Sequence, residues 1–223
     1  MVIAALLFDL YETLVTERGI TPARAGSLGE RLGLAPAAFR TAWKPQRARV
    51  IRGQVSFADA LLEIGTALGR TPDVQLVSAL AEGRRLGKAA LFQNIDPVAL
   101  SVLRQLRERG CRLAIVSNCM AEDVAAWPEC AASACFDAAV FSCEVGAAKP
   151  EPRIYAEALR RLGVEAVHAA FIGDGGDDEL LGAERAGLHA AQSTWFRGEV
   201  AGLPPHIPRL SSWRAVLEFG RAG

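Results

Sequence analysis

Four acidic side chains, Asp174, Asp177, Asp178 and Glu179, fall within six residues of the stretch FIGDGGDDELLGAERAG (171–187). Acids at a helix start are favourable caps, which accounts for one or two of them. Four so close together repel one another unless a cation lies among them, and hard oxygen ligands at this density suit Mg²⁺. Asp9 closes the apolar run 2–8 and opens the turn FDLYETLV. An aspartate there serves either as a turn cap or as a functional carboxylate at the end of a buried strand. Ser117 and Asn118 directly follow RLAIV. At a strand-to-helix turn they could hold an anion through hydroxyl, amide and backbone N–H groups. Lys149, in GAAKPEPRIY, precedes the helix that Pro150 and Pro152 open. The helix dipole opposes a cation at that end, so the lysine fits the task of neutralising a bound anion.

These residues need a frame that brings them together. Short apolar runs bounded by turn residues occur at 2–8, 112–116, 138–141, 169–172 and 189–194, mostly separated by segments of helical periodicity. That alternation predicts an α/β fold with a Rossmann-like parallel sheet covered on both faces. In such sheets ligands sit beyond the carboxyl ends of the strands, where Asp9, Ser117, Lys149 and Asp174 fall. The alternation breaks between residues 16 and 91, where helix signals replace strands. Thr21-Pro22 and Thr71-Pro72 each read as a cap followed by a first-turn proline. Ser56 with Asp59 approximates a capping box. Pro36 opens a helix that Pro45 is expected to kink or break. The predicted organisation is a core of residues 1–15 and 92–223 with an inserted helical subdomain, 16–91. Asp96-Pro97 restarts the core with a helix that Gly110 ends.

The chain has 223 residues, half of them hydrophobic, and 25 basic residues balance 25 acidic ones. This argues for a soluble globular protein and against non-specific binding to nucleic acid or membrane. The run 2–8 is too short to span a bilayer and lacks the basic start of a signal peptide. Cys111, Cys119, Cys130, Cys135 and Cys143 are odd in number and show no CxxC spacing. They read as free thiols of a cytoplasmic protein. Cys119 and Cys143 fall near strand ends and read as small buried thiols. His168, His189 and His206 are scattered, which argues against zinc. Trp43, in the inserted segment, reads as a core residue or as one lining a substrate cleft, and Trp127, Trp195 and Trp213 as packing residues. The basic stretch KPQRARVIR (44–52) is expected to form a solvated helix face or to draw an anionic substrate to the inserted helices.

The four blocks, in this order and at these strand ends, resemble the haloacid dehalogenase superfamily of hydrolases over essentially the whole chain. The resemblance implies that Asp9 in DLYET is a nucleophile and that Thr13 supports substrate binding. Ser117 and Lys149 look like the second and third motifs, and Asn118 beside Ser117 is an expected substrate contact. Asp174 looks like the fourth. In phosphatase members Mg²⁺ binds residues matching Asp9, the carbonyl of Tyr11 and Asp174. The register counted back from Gly182-Ala183 adds Glu179, with Asp178 adjacent as the alternative. The insertion after the first motif is similar to the helical type of cap.

Tyr11 complicates this reading. Phosphatase members usually carry a second aspartate there as acid and base, and a phenol near its reference pKa of about 10 does that work poorly. Tyrosine at that position, with Asn118 and Tyr155, is similar to the metal-independent 2-haloacid dehalogenases, whose halide leaving group needs no proton. In those enzymes the residue matching Asp174 is small and uncharged, and a cap arginine, for which Arg40 or Lys44 is the nearest analogue here, holds the carboxylate. The acidic cluster outweighs Tyr11. The expected function is hydrolysis of a small phosphorylated metabolite by an Mg²⁺-dependent phosphatase. The alternatives are a 2-haloacid dehalogenase acting on a halogenated substrate and a catalytically weak binding protein of the same fold. Glu12 is expected to point to solvent.

Overall fold

The computed structural model describes residues 3–18 and 25–220. Six strands, β1 (Ala5–Phe8), β2 (Arg112–Ser117), β3 (Ala138–Phe141), β4 (Ala169–Gly173), β5 (His189–Ser193) and β6 (Arg209–Leu210), form one sheet in the order β3-β2-β1-β4-β5-β6. Every pairing is parallel. The first five strands lie where the apolar runs predict them, and the Rossmann-like parallel sheet is the fold observed. The sixth was not expected, because two residues are too few to show a pattern.

Ten α-helices surround the sheet among the described residues: α1 (Ala25–Arg31), α2 (Pro36–Val50), α3 (Phe57–Ala67), α4 (Val74–Phe92), α5 (Pro97–Glu108), α6 (Ala121–Val124), α7 (Ser142–Val145), α8 (Pro152–Leu162), α9 (Glu179–Arg185) and α10 (Trp213–Phe219). The two-residue period of β1 divides the interior. Leu6 and Phe8 face α5 and α10, packing with Leu103, Leu106, Trp213 and Val216. Ala5 and Leu7 face α8 and α9, packing with Ile154, Tyr155, Leu180 and Ala183. Both faces of the strand are therefore buried, as the near-continuous apolar run requires.

The helices between β1 and α5 build a third apolar cluster from Phe39, Phe57, Leu61, Ile64, Val77 and Leu80, closed by Met120 and Ala148 from loops of the sheet. Ser56 caps α3 by accepting from the Asp59 N–H at 3.0 Å, as its spacing predicts. Asp96 likewise caps α5 through the Val98 N–H at 2.8 Å. Two expectations need correction. Helix α4 starts at Val74 and is capped by Asp73, which accepts from Gln75 N–H at 2.8 Å, so Thr71 is not its cap. Helix α2 runs unbroken through Pro45. Pro45 and Thr41 are both exposed, so the Thr41 carbonyl left without its helical N–H can turn to water. The Thr21-Pro22 cap lies outside the described residues.

Helix α9 meets the segment after Lys149 at close quarters. A Cβ built on Gly182 would stand 2.6 Å from Pro150 Cβ and 2.8 Å from its Cα, so no larger residue fits without movement. Gly182→Ala is expected to push α9 outward and lower stability by about 1–3 kcal/mol. A urea unfolding midpoint equal to that of the parent protein would show that the approach is not tight.

Candidate active site

The sheet changes direction of winding at β1, which has β2 on one side and β4 on the other. Beyond the carboxyl ends of these strands lies the crevice where open α/β sheets bind ligands. Asp9 follows β1, and its N–H donates to the Ile172 carbonyl at 2.8 Å, which fixes it beside β4. Ser117 ends β2 and Asp174 follows β4. Lys149 enters from the segment before α8, and Glu179 is the first residue of α9. All five side chains are buried and line one cavity of about 360 Å³.

The Lys149 ammonium donates to Asp9 Oδ1 and to Glu179 Oε2, each at 2.5 Å. One carboxylate oxygen from each of Asp9, Asp174 and Glu179 lies within 4.8 Å of the others. Burial pushes the Glu179 carboxyl up to about 8, with the Asp9 and Asp174 charges adding to it against the pull of Lys149. Asp9 is raised in the same direction, first by burial and then by Asp174, again against Lys149. Burial alone would lower the Lys149 ammonium, but the charges of Asp9 and Glu179 overcome this and raise it above the ordinary lysine value. Three carboxylates thus face one buried ammonium. Arg197, half exposed, adds a second cation by donating to Asp174 Oδ2 at 2.8 Å. The surplus of hard oxygen donors in this enclosed space fits a divalent cation such as Mg²⁺.

Backbone amides set the shape of the cluster. Asp174 Oδ1 accepts from Gly176 N–H at 2.8 Å, and Glu179 Oε1 from Gly175 N–H at 3.0 Å. Gly175, at φ 91°, supplies the left-handed turn that carries the chain from β4 to α9. Of the two neighbouring acids left open by the sequence, Glu179 is the one turned into the cluster. Asp178 is exposed, and Asp177 stands at the rim, 3.5 Å from Asn118 Nδ2. The Ser117 hydroxyl is buried with no hydrogen-bond partner among the described residues, a free donor on the cavity wall.

Several expected roles do not match the geometry. Thr13 is not at the cavity: its hydroxyl is buried against Ser193 Oγ at 3.0 Å, so it braces β1 to β5 and cannot reach a ligand. Asn118 lines the cavity, yet its amide is occupied by the Lys149 backbone, accepting from N–H at 2.7 Å and donating to C=O at 2.8 Å. Its task is to hold Lys149 in place. Tyr11 also lines the cavity, but its phenol donates to the Asp123 carbonyl at 2.7 Å. Burial and the Asp123 charge hold that phenol far above its ordinary value, so it has no proton to exchange near neutrality. Tyr155 lies beneath the site, donating to the Glu179 carbonyl at 2.7 Å. Glu12, at φ 59°, turns back to accept from Thr16 Oγ1 and Glu17 N–H.

The opposite wall comes from the inserted helices. Arg40 and Lys44 are exposed and do not line the cavity; Arg47, one turn along α2 in the basic stretch, does. From α4, Lys88 lies over the Tyr11 ring at 4.0 Å from its centre and pairs with Glu17. Arg84 pairs with the buried Asp123 carboxylate, Nε to Oδ1 at 2.7 Å and Nη2 to Oδ2 at 2.9 Å. None of Arg84, Lys88 and Arg197 was singled out by the sequence. Arg197 follows a strand end, the position rule that found Asp9 and Asp174, whereas nothing local marks the other two.

A family model for haloacid dehalogenase-like hydrolases matches residues 3–187. The chain belongs to this family. Among haloacid dehalogenase-like proteins it is 36% identical over 124 residues to a glyceraldehyde 3-phosphate phosphatase of Methanopyrus kandleri, covering 54% of this chain and 52% of that one. It is 33% identical over 173 residues to a phosphoserine phosphatase of Thermus thermophilus, covering 76% and 61%. The chain thus spans only about half to three-fifths of these relatives. The solved 2-haloacid dehalogenase of Pseudomonas syringae pv. Tomato shares the fold with a TM-score of 0.68 at 23% identity, covering 100% of both chains. Among the described residues, no helix is long and apolar enough to cross a membrane.

The Arg84–Asp123 pair ties α4 to α6, the short helix that follows Ser117 and Asn118. Arg84→Met strands the Asp123 carboxylate and is expected to cost about 2–4 kcal/mol. Adding Asp123→Asn should recover part of that loss. Additive losses in the double-mutant cycle would show that the pair is uncoupled.

Proposed function

We propose that the chain is an Mg²⁺-dependent phosphatase acting on a small phosphorylated metabolite, with Asp9 as the nucleophile. The observation that carries this reading is the buried set of Asp9, Asp174 and Glu179 gathered about one lysine ammonium. The names of the two phosphatase relatives support it. Asp9, Asp174, Glu179 and the backbone carbonyl of Tyr11 would hold the ion. Bound there, Mg²⁺ offsets the carboxylate charge and that of the phosphoryl oxygens, so one anion can approach another.

The chain's own groups do the rest. Lys149 holds Asp9 by Oδ1, leaving Oδ2 outside that ion pair to attack phosphorus. The new O–P bond forms as the bond to the leaving oxygen breaks, and water then cleaves the aspartyl phosphate to return Asp9. The unpartnered Ser117 hydroxyl donates to a phosphoryl oxygen, and the Lys149 charge faces the same group. Asn118 keeps Lys149 in position through its backbone. The helical segment 16–91 acts as the cap, its Arg47 and Lys88 bordering the space for the rest of the substrate.

The leaving oxygen finds no acid at position 11, since the Tyr11 proton is committed to Asp123. A substrate whose leaving group is weakly basic, such as an acyl or sugar-anomeric phosphate, needs least help there. Tyr11 also supports a second reading, metal-independent 2-haloacid dehalogenation, in which no leaving-group proton is needed.

An assay of aryl phosphates and of 2-chloropropionate, with and without Mg²⁺, separates the readings. Phosphate release is expected to require Mg²⁺ and to fall by about a thousandfold or more in Asp9→Asn. Halide release that resists EDTA would replace the phosphatase with the dehalogenase, and turnover of neither substrate would leave a binding protein.

Metal binding gives a separate check. Glu179 and Asp9 are raised above the ordinary carboxylate range, so at low pH the cluster must release protons to take up the ion. Glu179 ionises fully only above its folded pKa of about 8, so affinity for Mg²⁺ should strengthen from pH 6 toward pH 8. The rise in Tm on adding Mg²⁺ should follow, reaching about 2.7 kcal/mol of stabilisation at a hundredfold excess over Kd. Asp174→Asn and Glu179→Gln should each shrink it. A shift independent of pH, or retained in both variants, would place the ion elsewhere.

A further inference from the structure

Strands β2 and β3 are neighbours, paired in parallel with Ser117 opposite Phe141. Two residues past each of these positions stand Cys119 and Cys143. Cys119 lies in the turn after β2 and Cys143 in the first turn of α7. Their sulfurs meet, Cys119 Sγ and Cys143 Sγ being 4.0 Å apart and in hydrogen-bond contact. Both are free thiols, Cys119 buried and Cys143 half-buried. Neither takes part in the chemistry set out above, yet Cys119 is part of the cavity wall beside Ser117 and Asn118.

We propose that Cys119 and Cys143 are a dithiol modification site, closed to a disulfide by a hydroperoxide at the edge of the active-site cavity. The two thiols have different parts. Cys143 has solvent access, and the hydrogen bond from Cys119 favours its thiolate, drawing it below the ordinary thiol value against burial. It is the attacking sulfur. Cys119 is held far above that value by burial and remains a thiol until it resolves the intermediate. In the first step the Cys143 thiolate attacks a peroxide oxygen, an S–O bond forms, the O–O bond breaks and hydroxide leaves. In the second, Cys119 displaces the oxygen from the Cys143 sulfenic acid. The S–S bond forms, the S–O bond breaks, and the Cys119 proton leaves with the oxygen as water. With hydrogen peroxide, two thiols and one peroxide give one disulfide and two waters.

The surroundings tie this site to the rest of the cavity. Ser142 Oγ accepts from the Cys119 N–H at 3.0 Å and donates to its carbonyl at 3.2 Å, which ties the turn after β2 to the start of α7. On the other side, Gly53 of the inserted segment rests on the Cys143 carbonyl so closely that no Cβ fits between them. Bringing the sulfurs from 4.0 Å to about 2 Å draws on the loop that presents Ser117 and Asn118.

The test needs neither a variant nor an activity. The protein is treated with hydrogen peroxide, unfolded in guanidinium with iodoacetamide to block remaining thiols, digested and weighed by mass spectrometry. The expected product is a pair of peptides joined through Cys119 and Cys143, two hydrogens lighter than their sum, that separates on reduction with dithiothreitol. Cys111 should stay alkylated. Recovery of both Cys119 and Cys143 as alkylated thiols, a Cys143 sulfinic acid without the link, or either cysteine joined to a different partner would overturn the proposal.

Discussion

The Lys149 ammonium is buried between the Asp9 and Glu179 carboxylates, and the rest of the site is arranged around it. A buried cation is tolerated only when opposite charge and hydrogen bonds replace its lost hydration. Here those come from the end of β1 and the start of α9, residues far apart in the chain. The parallel sheet brings the two together, Asn118 fixes the backbone of Lys149, and the close approach of Gly182 to Pro150 sets α9 at the distance the ion pair needs. Even so, the Lys149 ammonium and the half-exposed Arg197 guanidinium do not balance three carboxylates, and burial, with the neighbouring acids adding to it, raises the Asp9 and Glu179 carboxyls. That imbalance is the physical reason the site fits a divalent cation.

The cavity wall formed by the inserted helices works by a different balance. Arg84 and Lys88 face Asp123 and Glu17, and Tyr11 lies between the pairs, its phenol bound to the Asp123 backbone and its ring under Lys88. Tyr11 therefore belongs to the joint between α4 and α6. Its position in the sequence, two residues past Asp9, suggests chemistry; its surroundings make it a mechanical link. Ser117, Asn118 and Cys119 lead straight into α6, so the joint and the cavity wall share one piece of backbone.

Much of this was legible in the chain. The apolar runs that gave β1 to β5 are buried on both faces, and residues of that kind leave no choice but a covered sheet. Asp9, Ser117, Lys149 and Asp174 could be found because each follows a strand, where parallel sheets place ligands. Glu179 over Asp178 could not be decided. Their order in sequence is adjacent, and only the left-handed turn at Gly175 and the start of α9 determine which one points inward. Thr13 was misjudged for a similar reason. A hydroxyl four residues past Asp9 is near it in sequence, but the turn after β1 carries it behind the strand to Ser193.

Pro45 and the Thr71 cap show the limit of local rules. Both follow propensities of about 1–3 kcal/mol that packing and solvent exposure can override. The pairings of Arg84 and Lys88 left no trace in the sequence, because long cationic side chains choose partners by distance after folding. By itself the sequence determined the sheet, the strand-end positions of the reactive groups and their excess of acid. Tertiary structure alone decided which acids share the ammonium, which hydroxyl stays free and what Tyr11 does. Each of those depends on side-chain direction across segments that meet only when the sheet has formed.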